Sequence, residues 1–142
     1  MHKQSLESLE LEMALLVRRL TSISAENKGN LDRSAYLLLH HIYTCGCSGV
    51  KTLAEAFHLD ISTVSRQAAA LEHKGYVYRI PDPQDGRAYS LQMTDLGKQE
   101  LVDYKKLRST RMEEFLKNWS DEECQDFAAL LQKFNQTILI MK

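Results

Sequence analysis

Residues 52–97, TLAEAFHLDISTVSRQAAALEHKGYVYRIPDPQDGRAYSLQMTDLG, form the stretch that decides the fold of this chain. The first part predicts two short helices separated by a tight turn at His58-Leu59-Asp60. The second part contains two segments with strand composition, 76–80 and 88–93, and the loop between them holds the chain's two prolines and Asp85-Gly86-Arg87. Two helices around a turn, followed by a hairpin, predict a winged helix-turn-helix.

Capping residues predict where these two helices begin and end. Thr52 and Glu55 have the spacing of a capping box, in which each side chain accepts a hydrogen bond from the other residue's backbone N–H. Asp60 is suited to cap the second helix. Gly75 is suited to end it, because glycine adopts the left-handed conformation without steric cost.

The second helix of the pair is predicted to have one buried face and one exposed face. Val64, Ala68 and Leu71 recur at helical spacing and are expected to be buried. The exposed positions near its N-terminal end are Ser62, Thr63, Ser65, Arg66 and Gln67. Hydroxyls can bind phosphates and base edges, an arginine can read a guanine, and a glutamine can reach an adenine. This end is therefore predicted to enter a DNA major groove, although ordinary capping and a solvated surface are the alternative.

The predicted hairpin carries an arginine two residues after an aspartate. The guanidinium of Arg87 is suited to a narrow minor groove, with the carboxylate of Asp85 holding its angle. The alternative is a local ion pair that only stiffens the hairpin. Arg79 is expected either to contact a phosphate or to pair with Asp82.

Apolar stripes are predicted along the helices on both sides of this region. An N-terminal helix of about six turns carries Leu6, Leu9, Met13, Leu16, Leu20 and Ile23 at spacings of three and four. Thr94 is expected to cap a long helix. A last helix, starting at a Ser120–Glu123 capping box, carries Cys124, Phe127, Leu131, Phe134, Ile138 and Met141. A single small core cannot cover both stripes, so pairing with a second copy is expected.

The expected fold class is mainly α with a small β-hairpin wing, dimerising through its N- and C-terminal helices. The predicted parts are a dimerisation helix at 1–30, a winged helix-turn-helix DNA-binding lobe at 31–94, and dimerisation helices at 95–142. The segment Asn27-Lys-Gly-Asn30 is expected to end the first helix. Asp32 is expected to cap a helix that ends near Gly46, and Gly49-Val50-Lys51 to form a short strand.

Composition argues against membrane and catalytic functions. No apolar run approaches the ~18 residues that a membrane span requires, and the N-terminus lacks the features of a signal peptide. Three cysteines do not suit a disulfide framework, so a cytoplasmic location is expected. Nucleophile elbows, phosphate-binding glycine loops and His-Glu-x-x-His are absent from the sequence, so neither enzymatic activity nor a cofactor is expected.

The charge balance is the main objection to DNA binding. The formal net charge is −1, and segment 50–94 contains five basic and five acidic side chains. DNA-binding domains usually have a basic face. A neutral sum is compatible with DNA binding only if the charges are segregated by face.

Histidines and cysteines cluster at the end of the helix before the motif. His41 and Cys45 are four residues apart and would share a helix face, with Cys47 at the helix end. An imidazole and two thiolates suit Zn²⁺ or Cu(I), and a free thiol pair could instead sense oxidants. The alternative is that the histidines are surface residues and the cysteines are small apolar fillers.

Two segments together resemble the MarR family of bacterial transcriptional regulators. Asp85-x-Arg87 followed by Met93-Thr94-x-x-Gly97 is similar to the wing pattern of the family, with Met93 in the place of a leucine. Ser62-Thr-Val-Ser-Arg66 followed by Leu71-Glu-x-Lys-Gly75-x-Val77-x-Arg79 resembles the recognition helix and its exit into the first wing strand. The helix order on both sides also fits, so the resemblance covers nearly the whole chain.

The resemblance implies a homodimer whose two winged lobes read a near-palindromic operator in double-stranded DNA. It also implies repression that is relieved by a small-molecule inducer or by thiol oxidation. Family members often hold aromatic acids in a cleft between helices, where Arg18, Tyr36 and His40 would lie in this chain. Peroxide-sensing members have a reactive cysteine near the start of the first helix, whereas this chain has none before Cys45.

Two other classes of function are left open by the sequence. One is a thiol- or metal-responsive sensor whose primary event occurs at Cys45 and Cys47. The other is a dimeric protein-interaction module that kept the fold but lost DNA binding, as the neutral charge would allow. The Asp85-x-Arg87 pair argues against the second class, because a bare scaffold does not need it.

Overall fold

The computed structural model describes residues 2–26 and 31–141. The helices are α1 (Lys3–Glu26), α2 (Arg33–Cys45), α3 (Val50–Phe57), α4 (Ile61–His73), α5 (Asp95–Leu116) and α6 (Asp121–Met141). The strands are β1 (Ser48–Gly49), β2 (Val77–Pro81) and β3 (Tyr89–Met93). The predicted order of elements is therefore confirmed. The segment Asn27-Lys-Gly-Asn30, expected to end the first helix, lies outside the described residues.

The sheet is antiparallel and has the order β1-β3-β2. The predicted hairpin pairs Val77 with Met93 at its base and Pro81 with Tyr89 near its tip. The short strand before α3 lies at Ser48–Gly49 and pairs Ser48 with Leu91. The strand expected at Gly49-Val50-Lys51 therefore begins one residue earlier and ends two residues earlier, because Val50 already begins α3.

The core lies where α2, α4, α5 and the sheet meet. Its buried residues are Leu31, Ala35, Leu38, Leu39, Ile42, Leu53, Ala54, Val64, Ala68, Leu71, Tyr76, Val77, Leu91, Met93, Leu101 and Tyr104. The predicted buried face of α4 is confirmed, because Val64, Ala68 and Leu71 all belong to this core. Burial of each large aliphatic side chain contributes ~1.5–3 kcal/mol, so α4 is held by its inner face while its outer face is free to bind.

Three of the predicted helix caps are confirmed. Asp32 accepts a hydrogen bond from the Ala35 backbone N–H at 2.8 Å. Ser120 and Glu123 form the reciprocal capping box, with N···O distances of 2.9 and 3.1 Å. Thr94 accepts from the Gly97 N–H at 3.0 Å. These contacts are local in sequence, which explains why residue spacing alone was sufficient to predict them.

The capping box predicted at Thr52 and Glu55 was wrong. Helix α3 begins at Val50, with Gly49 as a cap that makes no side-chain hydrogen bond. Strand β1 consists of Ser48 and Gly49, which pair with β3, and its pairing stops at Gly49. The helix therefore starts before Thr52, whose backbone is already helical. Asp60 does occupy the cap position of α4, but its side chain does not accept a capping bond.

Gly97 allows the start of α5 to approach the sheet closely. A Cβ built at this position would lie 2.2 Å from the backbone oxygen of Tyr76. Thr94 strengthens the same junction, since its hydroxyl donates to the Gly75 carbonyl at 2.6 Å and its N–H donates to the Tyr76 carbonyl at 3.0 Å. The Thr94-x-x-Gly97 pattern therefore joins α5 to the exit of α4.

The flanking helices leave large apolar surfaces uncovered. In α6 only Cys124 is partly buried, and every other described side chain is exposed. Leu130 is 64% exposed and Ile140 is 84% exposed, while Leu9 on α1 is 57% exposed. Within the described residues, none of the helices has the length and apolar character to traverse a lipid bilayer.

Candidate nucleic-acid interface

The N-terminal end of α4 presents the predicted polar residues at the surface. Ser62 and Arg66 are exposed, while Thr63, Ser65 and Gln67 are half-buried. Arg66 Nη2 lies 3.5 Å from the Thr63 hydroxyl oxygen, a long contact that leaves most of the guanidinium donors available. Because Val64 and Ala68 hold the opposite face in the core, these side chains project from a rigid support.

The tip of the β2–β3 hairpin is shaped by two aspartates. Asp82 Oδ1 accepts from the Gln84 N–H at 2.9 Å, and Asp85 Oδ1 accepts from the Arg87 N–H at 3.0 Å. The backbone closes further through a hydrogen bond from the Asp82 N–H to the Ala88 carbonyl. Carboxylates that accept backbone N–H groups in this way stabilise tight turns.

The guanidinium of Arg87 is exposed and has no hydrogen-bond or ion-pair partner within the described part of the chain. Asp85 orients the backbone N–H of Arg87, in keeping with its expected role as a support of the wing. Within the described residues its carboxylate forms no ion pair with the Arg87 guanidinium, so the alternative of a local Asp85–Arg87 ion pair is not observed. The side chain is therefore available for an external anion.

The recognition end of α4 and the wing border one cleft of 610 Å³. Ser65 from α4 and Arg87 from the wing both line it. Lys51, at the start of α3, lines the same cleft and was missed as a site residue by sequence reasoning. Its basic charge was the only available signal, because its distance from the wing depends on where α3 begins.

Arg79 connects the wing to the far end of α4. Its Nε lies 3.1 Å from Glu72 Oε2, and its guanidinium carbon lies 4.2 Å from the centre of the Tyr89 ring. The expected pairing with Asp82 was therefore wrong, since Asp82 accepts from the backbone of the hairpin tip instead. Arg79, in the middle of β2, holds the wing against α4 through one ion pair and one cation–π contact.

The charge objection is weakened by the way in which the acidic residues are used. Glu72 is paired with Arg79, and Asp82 and Asp85 accept hydrogen bonds from backbone N–H groups. Arg66 and Arg87, in contrast, have no acidic partner among the described residues. Three of the five acidic side chains of segment 50–94 are thus engaged within the lobe, while two of its arginines stay available to an external anion.

Two of the three residues predicted for a ligand cleft lie together. The ring centres of Tyr36 and His40 are 6.0 Å apart, and Tyr36 lies 4.9 Å from Tyr104 on α5. Burial lowers the pKa of His40, and the nearby charges of Lys105 and His41 lower it further. Arg18 lies exposed on α1, where no hydrogen bond, ion pair or ring contact within residues 2–26 and 31–141 joins it to this pair.

The histidine–cysteine cluster is only partly assembled. His41 Nε2 lies 3.9 Å from Cys45 Sγ, and His41 Nδ1 lies 3.3 Å from the hydroxyl of Ser48. Cys47 lines the 610 Å³ cleft instead. Across the described ranges, no group of three or more His, Cys, Asp or Glu side chains is placed to hold a metal ion. The predicted set of His41, Cys45 and Cys47 is therefore not brought together as three ligands.

Comparisons with known proteins agree on one family. The family described as "MarR family" matches residues 31–89. Among curated proteins, "Uncharacterized HTH-type transcriptional regulator YxaD" of Bacillus subtilis (strain 168) is 44% identical over 140 residues, covering 97% of this chain and 98% of the relative.

Solved structures show the same fold. A MarR family protein from Bacillus stearothermophilus superposes with a TM-score of 0.81 at 20% identity, covering 97% of this chain and 98% of the other. The PcaV transcriptional regulator from Streptomyces coelicolor, solved in complex with its natural ligand, has a TM-score of 0.69 at 23% identity, with coverage of 85% and 89%. With the extensive identity to YxaD, the chain belongs to the MarR family of DNA-binding transcriptional regulators.

Proposed function

We propose that this chain is a homodimeric, sequence-specific repressor that binds a near-palindromic operator through α4 and the wing. The observation that carries the proposal is the shared cleft, which is lined by Ser65 of α4 and Arg87 of the wing. Ser62, Thr63, Arg66 and Gln67 read base edges and phosphates in the major groove. Arg87 enters the adjacent minor groove, and its backbone is oriented by Asp85.

The homodimer is supported by the uncovered apolar stripes of α1 and α6. A contiguous apolar surface of this extent is unfavourable in water and marks an interaction surface. A second copy of the chain, related by a two-fold axis, provides matching apolar stripes. Each stripe can then pack against α1 or α6 of the partner. Two lobes related by that axis would read half-sites about one helical turn (~10 bp) apart.

Repression is expected to be relieved by a small aromatic acid that binds near Tyr36 and His40. Tyr104 provides an aromatic surface beside Tyr36, and Arg108 lies over the Tyr104 ring at 5.6 Å. Lys105 adds a second cation close to His40. An aromatic anion fits such an arrangement, because its ring can stack while its carboxylate faces the cations. The structural neighbour PcaV was solved in complex with its natural ligand, which shows that a regulator with this fold can bind a ligand.

The decisive experiment measures fluorescence anisotropy of the protein on DNA from the region upstream of its own gene, at several salt concentrations. We expect tight binding to one near-palindrome and a steep loss of affinity with salt, because phosphate contacts release counterions. Arg87→Ala should weaken this binding. Lys133→Ala, which removes one positive charge from α6, serves as the matched control and should bind normally.

Binding no tighter than to random DNA, first on the upstream region and then on a genomic fragment library, would contradict the proposal. In that case the protein-interaction module would become the better explanation of the exposed apolar stripes and the neutral charge. Normal binding by Arg87→Ala would be compatible with the proposed repressor function but would show that Arg87 of the wing does not contribute to the DNA interface.

A further inference from the structure

We propose that Cys45-Gly46-Cys47 is an oxidation site that closes an intramolecular disulfide and thereby weakens DNA binding. The segment joins the end of α2 to the start of β1. Both cysteines are free and exposed, so an oxidant in solution can reach either sulfur. Formation of the disulfide is independent of the function proposed above, whereas its effect on DNA rests on that function.

The backbone at Gly46 favours ring closure. Its φ of 86° and ψ of −57° lie close to the γ-turn values of about +75° and about −65°. In an extended chain two residues separated by one other are ~6.6–7.2 Å apart, which is at or beyond the ~4.4–6.8 Å range of Cα atoms in disulfides. A γ-turn folds the chain back at its central residue and so brings the two cysteines closer. Glycine is required there because its φ is positive.

His41 provides a base beside one of the two thiols. Its Nε2 lies 3.9 Å from Cys45 Sγ. Its ring is held from two sides, by the Ser48 hydroxyl 3.3 Å from Nδ1 and by the edge of the Phe57 ring at 5.6 Å. In the tautomer whose Nδ1–H donates to Ser48, the Nε2 lone pair faces Cys45 and can accept the thiol proton. Since the thiolate is the nucleophile, this contact selects Cys45 as the attacking residue.

The chemistry requires an oxidant of the hydroperoxide class. The Cys45 sulfur attacks the terminal peroxide oxygen, the O–O bond breaks, and an alcohol or water leaves, so that Cys45 becomes a sulfenic acid. The Cys47 sulfur then attacks the Cys45 sulfur, an S–S bond forms, and the sulfenic oxygen leaves as water. The two thiols lose two electrons and two protons in total, and the peroxide gains them. A dithiol reductant reverses the reaction by thiol–disulfide exchange.

Two contacts connect this site to the DNA-binding surface. Cys47 lines the same cleft as Ser65 and Arg87, so its conversion to a disulfide changes the wall of the space between α4 and the wing. The next residue, Ser48, is buried and pairs with Leu91 of β3, which is one of the two wing strands. A ring that closes immediately before Ser48 therefore acts on the strand from which the wing extends.

The test treats the reduced protein with hydrogen peroxide and follows two readouts. Free thiols are alkylated under denaturing conditions. Mass spectrometry then gives the mass of the tryptic peptide 34–51, which contains both Cys45 and Cys47. We expect it to be unalkylated and lighter by two hydrogen atoms than the reduced peptide, while Cys124 remains alkylated. Anisotropy on the operator should show a loss of affinity of at least ~5-fold, in the range of ordinary coupling between sites, that dithiothreitol restores.

Matched variants separate this mechanism from general oxidation. Cys45→Ser, which leaves Cys47 and the wall of the cleft in place, should bind DNA normally when reduced and should keep its DNA affinity in peroxide, whereas Cys124→Ser should lose affinity like the native chain. His41→Gln, which itself alters the mass of peptide 34–51, should slow disulfide formation, and the completed reaction should still remove two hydrogen atoms from that peptide. If His41 only stabilised the fold, its replacement would not change the rate of disulfide formation.

An intermolecular disulfide, a disulfide to Cys124 or an unchanged peptide 34–51 would each overturn the proposal. A Cys45–Cys47 disulfide without any change in DNA affinity would overturn its regulatory part. If the reduced protein does not bind DNA at all, the repressor proposal fails, and the mass measurement still decides whether the disulfide forms.

Discussion

At the scale of single residues, the structure assigns different tasks to the arginines of the lobe. Arg66 and Arg87 have no acidic partner in the described residues, while Arg79 is held by Glu72 and Tyr89. An arginine held by the fold contributes orientation, whereas an available arginine contributes binding. Sequence position distinguishes these tasks poorly, because all three are basic residues within one short lobe.

Replacement of Arg66 by alanine should reduce sequence discrimination more than overall affinity. A guanidinium that forms two hydrogen bonds with a guanine contributes ~1–3 kcal/mol of discrimination against other bases. Anisotropy should be measured on the operator and on variants of it with single-base changes. At the base pair that Arg66 reads, Arg66→Ala should bind the operator and the variants with equal affinity. Arg87→Ala is the comparison, since loss of a minor-groove contact should weaken all of these sites together. Retained discrimination at every position in Arg66→Ala would exclude Arg66 from base readout.

Gly97→Ala should destabilise the fold, because its Cβ would lie 2.2 Å from the Tyr76 carbonyl oxygen. Overpacking of this kind costs ~1–3 kcal/mol, and the backbone atom cannot move aside without disturbing the β2–α5 junction. Urea denaturation should show a lower midpoint. Gly86→Ala is the matched control, since a Cβ added at Gly86 would meet no other atom within 4 Å. Equal midpoints for the two variants would show that the junction adapts freely.

At the scale of elements, the angle between α4 and the wing is maintained at two places. Arg79, in the middle of β2, links Glu72 on α4 to Tyr89 on β3. Thr94 and Gly97 bind the exit of α4 to the start of α5. The positions of Ser65 and Arg87 along the common cleft depend on this angle.

Arg79→Ala removes the contacts of Arg79 with Glu72 and Tyr89 and should weaken DNA binding by the wing, although Arg79 itself is not proposed to contact DNA. If Arg79 acts by positioning Arg87, then Arg79→Ala should cost less affinity in an Arg87→Ala background than in the native chain. Interaction energies between coupled residues are typically ~0.5–3 kcal/mol. A double-mutant cycle measured by anisotropy gives this value. Additive effects would mean that Arg79 acts independently of Arg87, for example by a direct phosphate contact.

At the scale of the whole molecule, the lobe has its own core, whereas α1 and α6 expose their apolar stripes. The core residues lie between Leu31 and Tyr104, and no residue of α6 belongs to it. The core includes Leu101 and Tyr104 of α5, beyond the boundary at 94 expected for the lobe, so the division into a DNA-binding lobe and flanking dimerisation helices stays a prediction.

Leu131→Asp should break the dimer, because it places a charge at the middle of the α6 stripe. Ala129→Asp introduces the same charge on the opposite side of α6 and should leave the dimer intact. Multi-angle light scattering gives the mass of each variant directly. A dimeric Leu131→Asp protein would show that α6 does not form the interface, and anisotropy would then test whether one lobe is sufficient for binding.

The sequence by itself determined the order of the elements, the buried face of α4, the hairpin and the caps at Asp32, Thr94 and Ser120. These features depend on helical or strand periodicity and on hydrogen bonds between residues at most a few positions apart. The pairing of Arg79 with Glu72, the start of α3 at Val50 and the placement of Ser65 and Arg87 on one cleft were decided only by the tertiary structure. Arg79 had several chemically suitable partners, and the packing of α4 against the sheet selected Glu72. The start of α3 follows from where β1 ends its pairing with β3.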